Sequence, residues 1–154
     1  MNTLHIWQTC QRYPLGSWLF SRLFCLKAPY FGSIRPRFVQ LAPELCEVHL
    51  KKRRAVHNHI GTVHAIAICN LAEAAAGTMT DATVPKSHRW IPKGMTVEYQ
   101  KKAGTDLKAI ARPMNGAKAD EPGDYPVEVL VTDTNGDQVF RAVISMWISE
   151  RPAA

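Results

Sequence analysis

Glu73 has the setting in this chain that most invites chemistry. It stands in the stretch Val56 to Gly77, which begins as a polar turn. The stretch continues as a segment of mostly small apolar residues, interrupted by His64, Cys69, Asn70 and Glu73. A helix that is apolar on most faces is enclosed by other elements, because a surface helix carries a polar stripe. A carboxylate there is expensive, since burying an unpaired charge costs several kcal/mol. It is either solvated through a cleft or kept as a general base or nucleophile. Asn70 precedes Glu73 by three residues and so lies on the same helical face. It either orients a water or the carboxylate, or satisfies a neighbouring backbone carbonyl.

The approach to this segment is also polar. His57, Asn58, His59, Ile60 and Gly61 read as a turn, with Gly61 at the position that needs backbone freedom. Thr62 is placed to cap a helix that begins at Val63 or His64 and runs to about Asp81, ahead of Pro85. Three histidines so close suggest a metal. No carboxylate stands at a matching spacing, so they are read as turn residues and no metal site is expected. Cys69 reads as a core thiol.

The elements that must position these residues fit one domain of 154 residues, in which 46% are hydrophobic and 21% charged. That composition excludes a disordered chain. The net charge of +6 and the pI of about 9.3 favour acidic partners such as phosphorylated small molecules. No basic run is interleaved with aromatics in a nucleic-acid motif, so no nucleic-acid partner is expected. Cys10, Cys25, Cys46 and Cys69 form no C-x-x-C pair and read as reduced thiols of a cytoplasmic protein.

Residues 1–28 contain no acid. Within them, Leu15, Trp18, Leu19, Leu23, Phe24 and Leu26 have helical spacing and predict one amphipathic helix packed on the domain. The stretch is too short to span a bilayer, so no stable membrane insertion is expected; its composition also overlaps with a transit peptide. Residues 28–34 read as a turn and short strand, 35–43 as an extended connector, and 46–52 as a half-buried strand. Beyond the central helix, Met95, Val97 and Tyr99 alternate, and Leu107, Ile110 and Ala111 suggest a further strand. Ala103 to Thr105 makes a hairpin between the two plausible. Residues 113–123 read as a loop. Residues 125–132 and 138–148 read as a hairpin around Asn135 and Gly136, which both tolerate positive φ. The class is α+β.

This order, with Asn58, Gly61, His64 and Glu73 at their spacing, resembles the hotdog-fold thioesterases, in particular the phenylacetic-acid-type acyl-CoA thioesterases and the DUF4442 group. The resemblance covers roughly residues 30–150, with the N-terminal helix as an addition. It implies a curved antiparallel sheet wrapped around one long central helix. It also implies hydrolysis of a fatty or aryl acyl-CoA, with Glu73 as base or nucleophile and no cofactor beyond the coenzyme A of the substrate. In the family a His-Gly-Gly opens the helix and a backbone N–H there polarises the thioester carbonyl. Here the tripeptide is His64-Ala65-Ile66, which keeps the Ala65 N–H but adds a methyl and an Ile side chain. The resemblance gives Asn58 to the substrate or the loop, and His64 to the loop–helix junction. It implies a homodimer or dimer of dimers, with Glu73 of one subunit facing the loop of the other. Gly61, Arg89, Lys93, Lys101 and Lys102 are candidates for contacting coenzyme A. The rival readings are a non-catalytic acyl-thioester-binding or structural hotdog protein and a hotdog hydratase or dehydratase.

Overall fold

The computed structural model describes residues 3–152. Helices α1 (Thr3–Cys10) and α2 (Gly16–Lys27) lead into a 3-10 turn over Pro29–Ser33. Strands β1 (Arg37–Ala42) and β2 (Leu45–Leu50) precede the central helix α3 (Ala65–Thr83). Strands β3 (His88–Tyr99), β4 (Leu107–Pro113), β5 (Gly123–Thr132) and β6 (Gln138–Glu150) complete the chain. The six strands form one antiparallel sheet in the order β1-β2-β4-β5-β6-β3. The sheet curves around α3, which is the hotdog arrangement.

Periodicity explains the core. β5 and β6 alternate buried and part-exposed residues, so Val127, Val129, Val131, Ala142, Ile144 and Met146 all face α3. The helix answers with small residues. Ala72, Ala75 and Ala76 are fully buried, and so are Leu71 and Met79. Alanines let the curved sheet approach the helix backbone closely at little entropic cost.

Several expectations are corrected. The predicted single N-terminal helix is two helices. Of its six apolar positions only Phe24 faces the domain; Phe20, outside that set, is the fully packed residue of α2, and the others point outward. Residues 29–33 are a 3-10 turn rather than a strand. Residues 35–43 contain strand β1, which pairs with β2 through a bulge between Phe38 and Gln40. The flanking Pro36 and Pro43 hide this strand in the sequence. The hairpin suggested at Ala103 does not form. β3 pairs with β6, and β4 lies between β2 and β5. The connector from β3 to β4 instead crosses the end of the sheet. There Ala103 is buried and its carbonyl accepts the Val63 N–H at 2.9 Å. The β5–β6 turn forms as expected: Asp133 Oδ1 accepts the N–H groups of Asn135 (2.9 Å) and Asp137 (3.0 Å), and Gly136 has φ +86.

Candidate active site

The loop before α3 is fixed by its own side chains. Asn58 Oδ1 accepts the N–H groups of Ile60 (3.1 Å) and Thr62 (3.0 Å), while Asn58 Nδ2 donates to Thr62 Oγ1 (2.7 Å). Gly61 turns the chain at φ +77, a conformation that strains residues with a Cβ. Asn58 is therefore occupied with its loop, and Thr62 takes part in that network instead of capping the helix.

The cap is His64. Its Nδ1 accepts the Ile66 N–H at 3.1 Å, which places the proton of the neutral ring on Nε2. The Ala65 N–H, at the first helical position, has no intrahelical acceptor, and it lies at the positive end of the helix dipole. Beside it is a cavity of about 200 Å3 lined by Tyr30, Ser33, His57, His64, Ile66 and Asn70 among others. Asn70 is buried. Its Nδ2 reaches Ser33 Oγ at 3.4 Å, and its Oδ1 has no protein partner. Ile66 lines the cavity and is still 57% exposed.

Glu73 lies elsewhere, and the burial expected for it is not found: it is exposed. The helix is wrapped by the sheet, but β3 is the last strand in the sheet order, and among the described residues no strand pairs with its outer edge. Cys69 Sγ meets Tyr99 Oη at 3.1 Å near one end of β3. At the other end, the space a Gly77 Cβ would fill is 3.1 Å from Trp90. Glu73, midway between Cys69 and Gly77, thus stands beside the middle of β3, where Met95 and Val97 share the helix-facing row with Tyr99. The hydrogen bond between Tyr99 and Cys69, followed by burial, pushes the Tyr99 phenol up to about 12.

The five proposed coenzyme contacts do not form one cluster. Arg89 donates to Ser149 Oγ (3.1 Å), and Lys93 pairs with Asp124 (2.8 Å) and lies over the Trp147 ring. Lys101 pairs with Asp137 at 3.0 Å, beyond the far end of β3; Lys102 follows it and is exposed. An extended strand separates Arg89 from Lys101 by roughly 40 Å, so residues close in the sequence are at opposite ends of the sheet. Gly61 belongs to the loop before α3. A larger concavity of about 530 Å3, lined by Asp81, Lys86, His88, Arg89, Trp90 and Arg151 among others, sits at the C-terminal end of α3. It is about 27 Å along the helix from Ala65. Among the described residues no three His, Cys, Asp or Glu side chains converge as metal ligands.

The profile of a family described as a domain of unknown function, DUF4442, matches residues 16–148. The chain belongs to the DUF4442 family. It is 47% identical to a structural-genomics crystal structure, with a TM-score of 0.86 over 97% of this chain and 99% of that one. A Pseudomonas aeruginosa protein of unknown function, described as a probable thioesterase, is 22% identical with a TM-score of 0.76 over 90% and 98% of the two chains. A thioesterase family protein from Silicibacter pomeroyi is 13% identical with a TM-score of 0.72 over 85% and 96%. At these identities the last two share the fold. No curated protein matches the chain.

In this DUF4442 chain the sequence singled out His64, Asn70 and the Ala65 amide, and the fold brings them to one end of α3. It leaves Glu73 about 12 Å further along the axis, eight residues on. Tyr30 and Ser33 of the cavity were missed because they come from a segment read as a strand, and no spacing signal links them to the loop. His57, read as a turn residue, also lines the cavity.

Proposed function

We propose that the DUF4442 chain hydrolyses an acyl-CoA thioester to a carboxylic acid and coenzyme A, with Glu73 activating water or attacking the carbonyl. The observation that carries this reading is the exposed carboxylate between the central helix and a bare edge strand. Among the described residues it has no ion pair. The Ala65 N–H supplies the donor for the developing oxyanion, strengthened by the helix dipole.

A base must come within about 3 Å of the proton it takes, and the oxyanion donor must be equally close to the same carbonyl. Ala65 and Glu73 of one chain are too far apart for both. The site is therefore composite: Glu73 of one copy works with the Ala65 amide of a second, in a dimer joined along β3. Ile91, Met95 and Tyr99 on that strand are 61%, 41% and 51% exposed. An edge strand with one unpaired side and exposed apolar residues is suited to pairing with another chain. Asn58 holds the loop in register, His64 opens the helix at the Ala65 amide, and Asn70 presents a free acceptor in the cavity. Within this reading, coenzyme A phosphates go to the basic residues bordering the larger concavity.

A second reading, a non-catalytic acyl-thioester-binding protein, is favoured by one observation. Ile66 projects at the cavity where the thioesterase pattern has glycine. Thiol release from short, long and aromatic acyl-CoAs distinguishes the two. Turnover that falls by about a hundredfold or more in Glu73→Gln supports hydrolysis with Glu73 in the mechanism. Coenzyme A binding without turnover on any chain overturns it.

A further inference from the structure

Helix α2 is apolar on both sides. Its inner side packs on β1, where Phe20 and Phe24 meet Phe38 at centroid distances of 5.2 and 4.7 Å. Its outer side carries Trp18, Leu19, Leu23 and Leu26, with Leu15 just before the helix. At 100° per residue these fall on one stripe. They are 57%, 40%, 42%, 78% and, for Leu15, 78% exposed. Tyr13 and Tyr30, near the two ends of the helix in sequence, are 63% and 67% exposed. Leaving this much apolar surface bare calls for an occupant.

The charge around the stripe indicates which one. Arg22 lies within it, with its guanidinium 5.6 Å from the Trp18 ring centroid. Arg12 precedes the helix and Lys27 ends it, and all three cations are exposed. No Asp or Glu occurs anywhere before Glu44. A second copy of the chain fits this face poorly. A self-complementary contact would bring Arg22 and Lys27 of both copies together with no carboxylate of this segment to pair with them. Leucines, a Trp and tyrosines with interspersed cations suit the headgroup boundary of an anionic bilayer.

We propose that the outer face of α2 is a docking surface for an anionic lipid bilayer. Its leucines and Trp18 enter the interface, and Arg12, Arg22 and Lys27 face lipid phosphates. No helix among the described residues is long and apolar enough to cross a membrane, so the contact is adsorption of a folded helix face. It does not depend on the thioesterase reading.

The test is sedimentation of the full chain with vesicles of phosphatidylcholine alone and of phosphatidylcholine mixed with phosphatidylglycerol. Three cations near an anionic surface predict a partition constant on the order of a hundredfold higher for the mixed vesicles, declining as salt is raised. Leu23→Glu with Leu26→Glu is expected to reduce that binding at least about tenfold. Because both side chains face solvent, the circular dichroism melt should be unchanged; Arg22→Gln, with a smaller reduction, serves as a second variant. Three results would overturn the proposal. One is no binding to anionic vesicles at low ionic strength. Another is binding indifferent to these substitutions. The third is a larger oligomer in light scattering that the double variant splits, which would assign the face to a second copy.

Discussion

The two edges of the sheet are finished differently. At one edge, β1 is short and bulged, and α2 lies over it. Phe38 is fully buried beneath Phe20 and Phe24, and its N–H donates to Ser21 Oγ at 3.0 Å. At the other edge, β3 is twice as long, is bulged between Pro92 and Gly94, and carries exposed Ile91, Met95 and Tyr99. The first edge is closed by the chain's own N-terminus. The second is left open, and Glu73 stands beside it. The charges on β3 are engaged within its own sheet, Lys93 with Asp124 and Glu98 with Arg141, which leaves Met95 and Tyr99 as apolar surface on an uncovered edge, and such an edge is suited to pairing. In the proposed dimer the open edge and the exposed carboxylate work together.

The contrast can be broken at each edge. Phe38→Ala should destabilise the fold by about 3–5 kcal/mol in urea denaturation, since it empties a packed aromatic site. Ile91→Ala should act only through a second copy, as a melting temperature that depends on protein concentration. A small, concentration-independent effect of Phe38→Ala would mean that α2 does not close the first edge.

The proposed composite site gives the next largest effect. Ala65→Pro removes the N–H at a position where proline suits a helix start, and His64 already has the extended backbone proline requires of its predecessor. Turnover should drop about a hundredfold with the fold intact. Copies bearing Ala65→Pro, mixed and refolded with copies bearing Glu73→Gln, should regain activity, because each mixed dimer holds one intact site. Absence of rescue would mean that the Ala65 amide and Glu73 do not serve one site, since within one chain they stand too far apart.

Met95→Lys puts a charge on the open edge. It should shift the proposed dimer to monomer in light scattering and lower the proposed activity in parallel. A monomeric but fully active variant would separate the edge from the site. The smallest effect concerns Tyr99. Its phenol is pushed up to about 12 because the hydrogen bond with Cys69 and burial favour the neutral form. Above pH 10 the unfolded chain loses this proton before the folded one does. Stability should therefore fall as the pH rises from about 10 through 12. In ultraviolet titration Cys69→Ala should return the phenol toward 10.

Local pattern was enough for the presence of a helix over α2, though not for the face it buries, and for the course of α3 to within two residues of its end, β2, and the β5–β6 hairpin. In each, apolar spacing and turn chemistry agree. It was not enough for β1, whose flanking prolines resemble a connector. Nor was it enough for the partner of β3: strand pairing depends on where Ala103 is anchored, and residues far away in sequence decide that.

The site divides the same way. The sequence by itself determined the loop around Asn58 and Gly61, the polar opening of α3, and a carboxylate nine residues past His64. These are contacts and spacings within a few turns of chain. Only the tertiary structure decided that Glu73 is exposed instead of buried, that Ser33 and Tyr30 join the cavity, and that Arg89 and Lys101 stand far apart. A helical repeat tells which residues share a face; which face remains uncovered depends on where the sheet ends.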